Sequence, residues 1–254
     1  MGEECPRGKA IAMPNIIRVN IIVEGYTEEI FVRDMLKEPL ASLGIYVNAR
    51  SVQVSRRPIK GTKYSKPGKQ FKIRRGGLLD FDKAKEDINR WISEDRDAYL
   101  TTMFDLYALP ENFPEYEDAK RHRNPYKRVE VLEDAFKAEI NNDHFIPYIQ
   151  LHEFEGLLFS DIRAMDEVLS PYHGGSKLSK LAAIRDSFES PEEINDGEET
   201  APSKRLLSIY KSYEKPTDGS RIAKRTGIDV MRRECRHFNQ WMICLEELAI
   251  YKRR

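Results

Sequence analysis

Residues 16–23, IIRVNIIV, are apolar except at Arg18 and Asn20. A short run of that kind fits a strand buried on both faces of a parallel sheet. Glu24-Gly25 ends it, and Thr27 can cap a helix with Glu28 and Glu29 in its first turn. Ile30, Phe31, Leu36, Leu40 and Leu43 continue at helical spacing. Gly44 is a natural stop, and Pro39 can end or kink the helix earlier. Strand, tight turn and helix in that order call for a sheet covered by helices.

The same alternation continues. Ile45–Ser55 reads as a second strand, Asp80–Asp95 as a helix, Tyr99–Phe104 as a third strand, Pro125–Ile140 as a helix and Phe145–Leu151 as a fourth strand. Residues 106–126 are rich in proline and aromatics and read as a long loop. The expected fold is α/β, with a mostly parallel sheet flanked by helices. From about residue 152 short helices dominate, at Glu153–Phe159, Ile162–Leu169, Leu178–Ser187, Ser203–Tyr213 and Asp229–Tyr251. The 254 residues allow one large domain or a core with an appendage. We divide them into a loose leader (1–14), an α/β core (15–160) and a helical C-terminal region (161–254) packed on the core.

Ligands of open parallel sheets bind beyond the carboxyl ends of the strands. Glu24 follows the first strand, Asp105 the third, and Glu153 and Glu155 the fourth, in LHEFEGLLFSD. Carboxylates converging from separate strands make a hard-oxygen site suited to Mg2+ or Mn2+. The plainer alternative makes them helix caps or solvated turn residues.

VEGYTEEIFV, residues 23–32, resembles the first motif of Toprim domains, a strand ending in Glu-Gly before a helix. More closely, the chain is similar to the prokaryotic domain-of-unknown-function family 4276. The likeness is carried by VEGYTEE, Gly76-Gly77, TTMFDLYALP, HEFEGLLFSD, TAPSKR and CRHFNQW. The resemblance implies a Toprim-like Rossmannoid fold, a catalytic Glu24 and a metal-binding Asp105. It also relates the chain to the overcoming-lysogenization-defect nucleases. Such genes often lie beside those of AAA- or ABC-type ATPases, which implies an effector of anti-phage defence with an ATPase partner. The general Toprim pattern has Asp-x-Asp where this chain has Asp105-Leu106-Tyr107. Glu153 or Glu155 can supply the ligand missing there.

The chain is globally neutral, with 42 Lys+Arg against 42 Asp+Glu, so a nucleic-acid surface must be local. No acidic residue lies between Glu38 and Asp80, a span that carries Arg50, Arg56, Arg57, Lys60, Lys63, Lys66, Lys69, Lys72, Arg74 and Arg75. Tyr64 and Phe71 are interleaved and can stack on bases. A second cluster, AKRHRNPYKR, contributes Arg121, Arg123 and Lys127. Gly76-Gly77 can form a turn that exposes N–H groups. Ser203, Lys204 and Arg205 at a helix start offer a further phosphate contact. Solvated loops and turns are the plain alternatives for all of these.

Several classes are excluded. There is no GxxxxGK[ST], so no P-loop ATP hydrolysis is expected. HEFE is not HExxH, and Cys235, His237 and Cys244 lack structural zinc spacing. No GxSxG is present. His152 fits a proton shuttle, a phosphate contact or a hydrogen-bonded structural role. Three cysteines, an odd and sparse set, point to a reducing cytoplasm. No apolar run reaches the ~18–20 residues of a membrane span, and the N-terminus lacks the apolar core of a signal peptide. The expected function is a metal-dependent phosphodiesterase acting on DNA or RNA. The alternative is a non-catalytic Toprim-like partner of nucleic acid or of an ATPase.

Overall fold

The structure is a computed structural model that describes residues 16–52, 78, 80–195 and 200–251. The expected leader, most of the basic span after Arg50, and Gly76-Gly77 lie outside the described residues.

Strand β1 (Ile17–Val23) pairs in parallel with β2 (Ile45–Ser51) on one side and with β3 (Tyr99–Asp105) on the other. Two short strands, β4 (Phe145–Ile146) and β5 (Ile149–Gln150), both run parallel beside β3. The order is β2-β1-β3-β4, with β5 beside β3 as well. Among the described residues β2 ends at Ser51, and residues 53–55 of the expected strand lie outside them. The expected fourth strand is interrupted because Pro147 has no N–H to give the ladder. The buried Thr102 hydroxyl fills the gap. It accepts the Tyr148 N–H at 3.0 Å and donates to the Tyr148 carbonyl at 2.9 Å. Pairing then resumes with Phe104 opposite Ile149, in the register of Thr101 opposite Ile146.

The helix after β1 starts one residue before Thr27, with Gly25 at its N-cap. α1 (Tyr26–Phe31) passes through a π-helical turn (Val32–Leu36) into α2 (Lys37–Ser42). Pro39 therefore does not end the helix. Its missing N–H leaves the carbonyl four residues back without a helical donor, and the wide turn lies just before it. Gly44, at φ 81°, makes the left-handed stop.

α3 (Phe81–Glu94) is capped by the Asp80 carboxylate, which accepts the Lys83 N–H. The expected long loop contains α4 (Tyr116–Arg121). α5 (Pro125–Ile140) has the bounds its sequence predicts, starts at a proline and is capped by Asn124. The C-terminal half holds α6 (Glu155–Leu158), α7 (Ile162–Leu169), α8 (Leu178–Arg185), α9 (Pro202–Ile209), α10 (Ser220–Thr226), α11 (Ile228–Glu234) and α12 (Arg236–Tyr251). The single helix expected over 229–251 is broken at Cys235, whose backbone is extended. The buried Glu192 carboxylate accepts the N–H groups of His237 (2.9 Å) and Phe238 (2.8 Å), and so starts α12 afresh.

Each face of the sheet has its own core. Ile17, Val19, Ile21 and Val23 of β1 share one with α1, α2 and the C-terminal helices. Ile22, Leu100 and Phe104 share the other with α3 and α5. The C-terminal helices are thus the cover of one sheet face. Trp241 of α12 donates its indole N–H to Thr101 of β3 at 2.8 Å. No helix among the described residues is long and apolar enough to cross a membrane.

Phe136 is fully buried, with the rings of Phe145, Phe113, Phe81 and Phe104 centred 4.8–6.1 Å away. Phe136→Ala is expected to cost about 3–5 kcal/mol in urea unfolding, through lost transfer energy and the cavity left behind.

Candidate functional site

The chain leaves β1 toward β2 on one side and returns through β3 on the other. The carboxyl ends of β1 and β3 therefore flank a topological switch point, where crevices open in sheets of this kind. Glu24 and Asp105 stand there, both buried. The register sets Val23 opposite Met103, which puts Asp105 one residue beyond the level of Glu24 on the neighbouring strand. The Asp105 N–H donates to Glu24 Oε1 at 2.8 Å. In turn, Asp105 Oδ1 accepts the Phe154 N–H at 2.9 Å, which ties the start of α6 to the end of β3.

Two further acids join them. Glu28 comes from the first turn of α1 and is 4% exposed. Glu155 opens α6 and is fully buried. Beside three of the four stands an ammonium. Lys215 Nζ lies 3.1 Å from Glu28 Oε1, 3.1 Å from Glu155 Oε2 and 3.6 Å from Asp105 Oδ2. Glu155 Oε1 has no hydrogen-bond partner among the described residues, and neither does the buried Tyr213 hydroxyl nearby.

The electrostatics follow from crowding. Burial, then the charges of Glu24, Glu28 and Glu155, raise the Asp105 carboxyl well above its ordinary value, against the pull of Lys215. Burial likewise raises Glu155. Burial alone would lower Lys215, but Glu155, Asp105 and Glu28 hold its ammonium well above the usual lysine value.

The expected ligands thus separate. Glu24, Asp105 and Glu155 come together, whereas Glu153 does not join them. Its carboxylate accepts the Ser203 N–H at 2.9 Å, at the start of α9 where a phosphate contact was expected. Lys204 is exposed, and Arg205 turns back to the Thr200 carbonyl and the Phe188 ring. Tyr107, in the place of the second Asp of Asp-x-Asp, is exposed. Arg121 pairs with Asp118, Lys127 pairs with Glu130, and Arg123 is exposed. Arg50 pairs with Glu94 and lies over Trp91. Arg56, Arg57, Lys60, Lys63, Lys72, Arg74 and Arg75 lie outside the described residues.

Sequence reasoning missed Glu28 and Lys215 as site members. Glu28 looked like an ordinary first-turn acid. Lys215 begins KPTDG, which has the composition of a surface turn. Nothing in that composition marks it as part of a site, although in the structure Lys215–Gly219 forms a π-helical turn.

As it stands, no group of three or more His, Cys, Asp and Glu side chains among the described residues is gathered to hold a metal ion. The lysine ammonium is at the centre instead. Residues 23–246 match the model of a protein family described as a domain of unknown function, DUF4276. No curated protein and no solved structure matches the chain.

His152 lies between β5 and α6 with a left-handed backbone, φ 59°, and it is buried. Its Nδ1 meets Asn195 Nδ2 at 3.0 Å. Burial, helped by Arg128, pushes its pKa down to about 4. The unfolded chain takes up a proton near pH 6.5 that the folded chain refuses. Stability from His152 is therefore complete above that pH and lost as pH falls toward 4. In urea melts between pH 7 and pH 4, the wild type should lose about 3 kcal/mol more than His152→Asn, which tolerates the same backbone.

Proposed function

We propose that this chain, which belongs to the DUF4276 family, is a metal-dependent nucleic-acid phosphodiesterase with a Toprim-type site. The observation that carries the reading is the meeting of Glu24, Glu28, Asp105 and Glu155 at the switch point of the sheet, with one Glu155 oxygen unpartnered. Four acids offset by one ammonium exceed what a fold keeps for stability alone, since buried like charges repel and desolvation adds to the cost.

The donor chemistry suits Mg2+ or Mn2+, and the side chains would draw together to hold one. All donors are hard carboxylate oxygens, and few are needed when the cation also takes waters and substrate phosphate. Asp105, Glu155 and Glu28 would hold the metal, which supplies charge for a phosphate and a bound water of lowered pKa. Glu24 is oriented by the Asp105 N–H and is suited to general acid–base work or to a second metal. Lys and Arg of residues 50–75 and 119–128 would hold a DNA or RNA strand through its phosphates. The unpaired Cys235 and Cys244 accord with a reducing cytoplasm. A role as the effector of an anti-phage system, with an AAA- or ABC-type ATPase supplying ATP hydrolysis, is part of the same proposal.

A second reading is favoured by Lys215 itself. An ammonium at the centre of the acids, together with Asp-Leu-Tyr at 105–107, suits a Toprim-like chain that binds nucleic acid or an ATPase without cleaving.

The test is cleavage of labelled single- and double-stranded DNA and RNA with Mg2+ or Mn2+. Asp105→Asn should lower metal-dependent cleavage at least ~100-fold while leaving strand binding largely intact. Equal cleavage by Asp105→Asn, or none by the wild type under any metal, would sink the enzymatic reading.

A further inference from the structure

Lys215 is the only basic side chain among the described residues within 4.0 Å of Glu28, Asp105 or Glu155. Its Nζ fills the space between those three carboxylates, which would draw in from 3.1–3.6 Å to ligate a cation there. An ammonium and a divalent cation cannot share that point, because both are positive and both need the same oxygens. We infer that Lys215 is an exchangeable counter-ion: it holds the acids together in the metal-free chain and swings out when a divalent cation binds. This rests on the metal reading of the site above.

Three observations support an exchange rather than a permanent ion pair. The first is the unpartnered Glu155 Oε1 in a fully buried residue, an acceptor that the lysine leaves unused. The second is asymmetry of access. The Lys215 side chain is 34% exposed, whereas that of Glu155 is 0% and that of Glu28 is 5%. The lysine has a route to water that the acids lack. The third is how the turn is held. Residues 215–219 form a π-helical turn that is buried at Asp218 and Gly219, and the Asp218 carboxylate accepts the Glu214 N–H at 2.9 Å, so the backbone that carries Lys215 is tied down. Movement is left to the flexible four-carbon lysine stem.

The direct test compares Mn2+ binding by the full chain and by Lys215→Met, using calorimetry and thermal melts. Without its ammonium, the variant keeps unbalanced buried acids, and its metal-free Tm should fall by roughly 10 °C. Mn2+ should restore that loss and bind the variant at least ~10-fold tighter than the wild type. A companion measurement uses the wild type alone, so it stands even if the variant does not fold. Mass spectrometry would follow acylation of Lys215 by an amine-reactive reagent, which saturating Mn2+ should speed several-fold. Equal Mn2+ affinity in both proteins, or labelling of Lys215 unchanged by saturating Mn2+, overturns the inference. If wild-type cleavage persists alongside either result, the phosphodiesterase reading survives and only the exchange falls. If Mn2+ binds neither protein, both fall together.

Discussion

Carboxylates repel one another, and the repulsion grows as water is removed. The carboxyl edge of this sheet gathers Glu24, Glu28, Asp105 and Glu155 out of water, and one ammonium makes the gathering tolerable. Much of the nearby architecture can be understood from that balance. Phe154 gives its N–H to Asp105, so α6 is anchored where it must be to bring Glu155 inward. The π-helical turn of residues 215–219, buried at Asp218 and Gly219, brings Lys215 to the same point. Without an ammonium or another cation at that point, the acids would favour either protonation or separation.

The sheet supplies the rigidity that the balance requires. β1 and β3 are buried on both faces, each face with its own core. The Thr102 hydroxyl keeps the chain beside β3 in register across Pro147, so the segment carrying Glu155 leaves at a fixed place. Glu192 performs a similar service at the start of α12, where two backbone N–H groups meet its carboxylate. Here, too, a buried acid is stabilised by specific donors, in contrast to Glu155.

Much of this was legible in the sequence. The apolar run of β1, the bounds of α5 and the placing of Glu24 and Asp105 at strand ends follow from periodicity and sheet topology. What was not legible depends on tertiary contacts. A break at Cys235 inside a continuous helical pattern is set by Glu192, more than 40 residues away. Glu153 and Glu155 are two residues apart and look equivalent, yet one caps α9 and the other faces Asp105. Only the left-handed residue His152 and the short α6 decide which is which. Lys215 could not be found from pattern, because a lysine before Pro-Thr-Asp-Gly is what any exposed turn displays.

The central claim is that the position held by Lys215 is a divalent-cation site. The most direct test is anomalous diffraction from crystals of the chain grown with Mn2+. The account predicts a single strong peak within coordination distance of Glu28, Asp105 and Glu155, with the Lys215 ammonium displaced toward solvent. Lys215 still among the three carboxylates, with no manganese peak at the sheet edge, would contradict it.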